Sequence, residues 1–149
     1  MTRISVILLV DPQGRVLLQE RDEHAPLSPE KWGMVGGHGE DGEDPEVAAY
    51  RELEEETGLR LDGGLRLWWS GEFCYSELDE AYDYRVWVAP TTVTDADVVV
   101  GEGRQIVFVD PAEVPGLDLA ESARHFVVPF LASPEYAGLV AEAAGQVRA

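Results

Sequence analysis

The sequence is poor in cysteine and in positive charge. Cys74 is its only cysteine in 149 residues, which excludes a disulfide framework and a thiolate zinc site. A reducing cytoplasm is the simplest compartment for such a chain. Lysine and arginine number 11 against 29 aspartates and glutamates, for a net charge of −18. That balance offers no basic stripe to displace counterions from a nucleic-acid polymer. Lys31 is the only lysine, so the cations are almost all arginines, whose forked donors grip carboxylates and phosphates. No stretch approaches the ~20 apolar residues a helix needs to span a bilayer, so no membrane partner is expected. The apolar run at residues 4–10 runs into Asp11-Pro12 with no small-residue cleavage site; it reads as a buried strand and not as a leader.

What is present suits one folded domain over residues 1–149. The length supports a real core, and the hydrophobic fraction of 45% is ordinary for a globular protein. Strands are expected at residues 4–10, 15–20, 32–35, 65–75, 82–89 and 105–109. Residues 11–14 suit a tight turn. Residues 22–31, with Pro26 and Pro29, read as a loop. A helical turn is expected at 111–114, with helices at 120–131 and 134–147. A mixed sheet between helices, an α/β (α+β) architecture, is the natural packing of this order.

The most informative stretch is residues 37–59, GHGEDGEDPEVAAYRELEEETGL. Asp44 is a good N-cap, Pro45 suits the first helical position, and Gly58 is the expected stop. The spacing predicts a helix over residues 45–57. At about 100° per residue, Glu52, Glu55 and Glu56 fall on one face together with Ala48. Val47, Ala49, Tyr50, Leu53 and Thr57 spread over the other side and can pack on a core, while Glu54 points to solvent. Arg51 stands at the edge of the acidic face, able to reach Glu43 with a forked hydrogen bond. Three neighbouring carboxylates repel one another unless a cation sits among them. Mg²⁺ and Mn²⁺ are hard ions that take oxygen ligands.

The stretch resembles the signature of the Nudix hydrolase superfamily. Gly37, Glu43, Arg51, Glu52, Leu53, Glu55, Glu56, Gly58 and Leu59 fill its nine defined places. One departure is Val35, just before Gly36-Gly37, where the family often has proline. The resemblance implies an αβα sandwich with a mixed β-sheet between helices. It also implies a Mg²⁺- or Mn²⁺-dependent hydrolase that cleaves a pyrophosphate linkage in a nucleoside diphosphate joined to another moiety X. The metal ligands it implies are the carbonyl of Gly37 and the carboxylates of Glu52, Glu55 and Glu56. A further acidic ligand usually comes from a distant loop, and Glu102 is the candidate here. Glu52 is the expected general base, with Glu55 or a glutamate from another loop as alternatives. Arg51 and Glu43 complete the catalytic set.

Substrate contacts are expected from Arg21, Gly36 and Gly37, with Arg85 and Arg104 as weaker candidates. One of Trp32, Trp69, Phe73, Tyr75, Tyr82 and Tyr84 is expected to line the pocket and stack on a base. His24 and His38 receive no role. Specificity for X is expected in the loops 22–31 and 76–81. Homodimers are frequent among the proteins this chain resembles, so a homodimer is one expected assembly. Two other functions stand beside hydrolysis, and beside them the reading of a plain acidic structural domain that binds no metal. One is a Nudix-fold nucleotide-binding sensor that does not cleave its ligand. The other is an isoprenoid-diphosphate isomerase, which would need a reactive cysteine and has only Cys74.

Overall fold

The computed structural model describes residues 1–148. Seven strands form one mixed sheet: β1 (Arg3–Val10), β2 (Val16–Glu20), β3 (Trp32–Gly33), β4 (Val35–His38), β5 (Arg66–Tyr75), β6 (Glu80–Pro90) and β7 (Gln105–Val109). Three α-helices accompany it: α1 (Pro45–Thr57), α2 (Glu121–Leu131) and α3 (Pro134–Arg148). The sheet has β1 at its centre. On one side β1 pairs in parallel with β6, which pairs antiparallel with β5. On the other side β1 pairs antiparallel with β4 over residues 4–7 and touches β2 at Val10 and Val16. β2 pairs with both β3 and β7.

β1 is buried from Ile4 to Val10 because both faces of the sheet are covered. Ile4, Val6, Leu8 and Val10 point to one side, where they join Phe126 and Phe130 of α2 and Leu139 of α3. Ile7 and Leu9 point to the other, against Ala49 and Leu53 of α1. Successive side chains of a strand alternate faces, so one apolar strand serves two cores. This is the expected αβα sandwich.

The expected strands and helices are all present, with small shifts at their ends. The acidic connection 76–81 shortens because β6 begins at Glu80. The late turn falls at Val114–Gly116 instead of 111–114. A further short turn at Asp95–Asp97 went unforeseen; the Asp97 carboxylate accepts from the amide of Thr94 there. The larger correction concerns the glycine segment. Residues 36–38 continue as strand β4 paired to β1, with a break at Met34, where a loop was expected. Gly36 makes this pairing feasible: it has φ of 146°, and a Cβ there would overlap the carbonyl oxygen of Ser5. The strand register therefore sets the depth at which the glycines face α1.

α1 forms as the sequence predicts. The Asp44 carboxylate accepts from the Glu46 amide at 2.8 Å, and Gly58 ends the helix in the left-handed conformation. Ala49, Leu53 and Thr57 are buried. Val47, expected on the packed side, is 57% exposed. It lies about 120° around the helix from Leu53, beyond the reach of the sheet. Ala48 is buried instead, on the acidic side, where Gly39 approaches it. Leu53 carries α1 onto the sheet; Leu53→Ala should cost about 2–5 kcal/mol of stability. Chemical denaturation checks this, and a loss below about 1 kcal/mol would contradict the packing described.

Candidate active site

The burial of the three glutamates follows from their angle to Leu53. Glu56 lies about 60° from it, Glu52 about 100° and Glu55 about 160°. Accordingly Glu56 and Glu52 are largely covered and the Glu55 side chain is 58% exposed. The Glu56 carboxylate accepts from the Gly36 amide at 3.1 Å. The Glu52 carboxylate lies against Gly37: a Cβ built there would sit 2.7 Å from Oε2. Any side chain at position 37 would push Glu52 aside. The signature glycine is thus a matter of space between strand and helix.

Arg51 organises the acids. Its Nε and Nη2 donate to Glu43 at 2.8 and 2.9 Å, the forked pair expected from the sequence. Nη1 donates to Glu52 Oε1 and Glu55 Oε2, both at 3.1 Å. Nη2 also donates to the carbonyl of His38 at 3.0 Å, which ties β4 to α1. This guanidinium holds the Glu43 carboxyl down at about 2, aided by the Glu40 amide. Glu52 is pushed up by burial, against the pull of Arg51. Glu56 is raised to about 7, first by burial and then by the nearby charges of Glu52 and Glu102. Among the described residues it has no ion-pair partner.

Glu102 reaches the site from far along the chain. The amides of Val99 and Gly101 donate to the carbonyls of Thr57 and Glu56 at the end of α1. On its other side the Glu102 carbonyl accepts from Gln19 Nε2 at 2.9 Å. This strap is what brings its charge near Glu56.

These acids line one face of an open cleft of about 1030 Å³, at the upper end of the size of small-molecule sites. Gly36, Gly37, Glu52, Glu55, Glu56 and Glu102 line it, and so does Arg21. Arg21 Nη1 donates to the carbonyl of Leu27 at 2.9 Å. Arg51 and Glu43 stand behind the carboxylates. Oxygen donors of this kind suit a hard divalent cation, and the uncompensated Glu56 gives one a reason to bind. Among the described residues no three acidic, histidine or cysteine side chains already converge as a closed cage. Arg51 draws Glu52 and Glu55 to one side while Gly36 holds Glu56 on the other, so the carboxylates are gathered but not closed.

Several expectations about substrate contacts change. None of the six candidate aromatics lines the cleft. Phe73, Tyr75, Tyr82 and Tyr84 are buried, Tyr84 and Trp69 pack on Phe126, and Trp32 packs against the same core. Their strand positions give them to the α2 face. Arg85 is occupied by Asp83, Arg104 by acids outside the cleft, and neither lines it. The loop 22–31 supplies a wall, through Asp22, His24, Ala25, Pro26 and Leu27, whereas the connection 76–81 supplies nothing. His24 and His38, given no role, are both in the lining, as are Gln19 and Met34. Gln19 carried a signal in the sequence as the polar residue directly after the apolar run Val16-Leu17-Leu18 of β2.

Comparison with known proteins bears on this geometry. The sequence matches the NUDIX domain family over residues 1–130. The chain belongs to the Nudix superfamily. It is 37% identical over 103 residues to an RNA pyrophosphohydrolase of Caulobacter vibrioides, covering 67% of this chain and 59% of that protein. A shorter match, 46% over 54 residues, is to an RNA pyrophosphohydrolase of Rhodospirillum rubrum and covers 36% of this chain and 30% of the relative. The chain thus spans about three fifths, or less, of the curated relatives it matches. Its fold is that of a MutT protein of Methanosarcina mazei, with a TM-score of 0.72 at 22% identity over 87% of this chain and 91% of the other. The NUDIX domain of Shewanella oneidensis NrtR, solved with ADP ribose, superposes with a TM-score of 0.68 at 18% identity, over 85% and 82% of the two chains.

The raised Glu56 carboxyl has a consequence for the metal-free protein. The folded state holds this proton to about pH 7, while the unfolded chain releases it near 4.5. The contribution of Glu56 to stability is therefore full below about pH 4.5, is lost as pH rises through about 7, and is flat beyond. Glu56→Gln should remove that fall and stabilise the chelator-treated protein at pH 8 by about 1–3 kcal/mol. Thermal denaturation across pH 4.5–8 checks it; a parallel decline in both proteins would contradict the assignment.

Proposed function

We propose that this Nudix protein is a metal-dependent pyrophosphohydrolase. It cleaves a pyrophosphate linkage in a nucleoside diphosphate derivative by attack of water on phosphorus. One observation carries the reading: Glu52 and Glu56 are packed beside Gly37 and Gly36 at a cleft, and among the described residues Glu56 has no ion-pair partner. Likeness in sequence to RNA pyrophosphohydrolases supports the reaction class. The net charge of −18 favours a small substrate over a polymer.

Glu52, Glu55, Glu56 and the carbonyl of Gly37 would hold Mg²⁺ or Mn²⁺, with Glu102 as a further acidic ligand. Such an ion supplies positive charge against the charge that grows on the phosphate oxygens. Glu52 is the proposed base. Its Oε1 accepts from Arg51, so Oε2, on the Gly37 side, is free to take the proton from water. Burial raises its proton affinity above that of an ordinary glutamate, which suits a base near neutral pH. Arg51 keeps Glu52 and Glu55 in place, and Glu43 fixes Arg51. Arg21, Gly36 and Gly37 are the proposed contacts to substrate phosphate. Cys74 is exposed on β5 and takes no part in lining the cleft, which disfavours isomerase chemistry. The protein acts in the cytoplasm on this reading.

The test is a panel of nucleoside triphosphates, nucleotide sugars, dinucleoside polyphosphates and ADP-ribose with Mg²⁺ or Mn²⁺, scored for released phosphate and pyrophosphate. Turnover is expected with at least one member and should fall by about 10²-fold or more in Glu56→Gln with the fold intact. Full activity in that variant would refute the site. Binding without turnover would assign the protein to the sensor class instead.

A further inference from the structure

The loop 22–31 leaves the sheet after β2 and returns to it at β3, closed at its base by the Arg21 amide on the carbonyl of Lys31 at 2.9 Å. It is held from within by Arg21, through Leu27. At its end Lys31 Nζ stands 3.7 Å from Asp118, and Leu27 packs against the core; its outer acids are held by Arg104. Arg104 Nη2 donates to Glu23 and to Glu30, each at 3.1 Å, and its Nη1 stands 4.0 Å from Glu20. The Arg104 amide is itself fixed to the Glu20 carbonyl at 2.9 Å. Two residues earlier in the chain is Glu102, which lines the cleft.

The loop carries Asp22, Glu23 and Glu30; Asp22 lines the cleft together with Glu102 of the strap. Without Arg104 among them, Glu20, Glu23 and Glu30 repel one another, in a protein that already has an excess of negative charge. The loop also contains Ser28 and Glu30 at positive φ, 48° and 66°, a backbone that its surroundings must hold in place. A single exposed ion pair is weak, but one guanidinium shared by several carboxylates forms a network.

We propose that Arg104 is a positioning residue that clasps the loop 22–31 to the Glu102 strap and so fixes the width of the chamber that receives X. It touches neither the reacting phosphates nor the proposed metal ligands. Its action is on the wall formed by His24, Ala25, Pro26 and Leu27. Releasing it should widen the chamber and weaken hold on X while leaving the hydrolytic acids as they are. The specificity half of this inference rests on the proposed hydrolase reading; the clasp itself does not.

Hydrogen exchange of the metal-free protein tests the clasp independently of activity. In Arg104→Ala the amides of residues 24–31 should exchange about fivefold or more faster, with Gly101, held by Glu56, unchanged. Arg104→Lys should restore part of the protection, and wild type in about 1 M NaCl should approach the alanine variant. Across the substrate panel, Arg104→Ala should raise KM about threefold or more with kcat within about twofold, and flatten the preference among different X groups. Unchanged exchange in the loop overturns the clasp. Faster exchange with unaltered KM and unaltered preferences overturns its role in specificity. If no protein turns over any member, the hydrolase reading fails and exchange alone decides the clasp.

Discussion

The site depends on one guanidinium. Arg51 receives Glu43 on its forked side and Glu52 and Glu55 on its remaining nitrogen, and it anchors the carbonyl of His38 as well. Without it the helix would present its like charges to a strand that offers only His38 and the Gly36 amide against them. With it, a half-buried acidic face becomes affordable on a helix whose opposite side is packed by Leu53 and Ala49. Arg51 also joins α1 to β4, so the spacing between carboxylates and glycine backbone is fixed by one hydrogen-bonded centre.

Arg51 leaves one acid out. Glu56 turns toward the sheet, where only the Gly36 amide meets it. Its proton affinity rises to the neutral range because burial and the nearby charges of Glu52 and Glu102 outweigh the Gly36 amide and the distant pull of Arg21. Natural structures keep such a group where something external completes it. The cleft is open on that side, and its lining is rich in oxygen donors.

Much of this was legible before any coordinates. The N-cap at Asp44, the stop at Gly58 and the angular grouping of Glu52, Glu55 and Glu56 are local properties, and local rules read them correctly. β1 was legible because a strand buried on both faces is a continuous apolar run. What was not legible depended on register between distant segments. Gly36 and Gly37 read as loop because glycine disfavours strand, but pairing with Ser5 and Val6 overrides that preference. The aromatics read as stacking candidates because composition does not say which sheet face they share with α2. Val47 is exposed and Ala48 buried because the neighbours that cover a helix edge, here Gly39, come from elsewhere in the chain. The wall made by residues 22–27 was suspected from its lack of regular structure, but the residues that hold it could only be found in three dimensions.

Calorimetric titration of Mg²⁺ and Mn²⁺ into the chelator-treated protein tests the central claim most directly, with the folded Glu52→Gln/Glu56→Gln double variant as reference. Saturable uptake by the wild-type protein that disappears in the double variant is the predicted result. No uptake by the wild type, alone or with a nucleotide present, would show that the gathered carboxylates merely face solvent and would contradict the account.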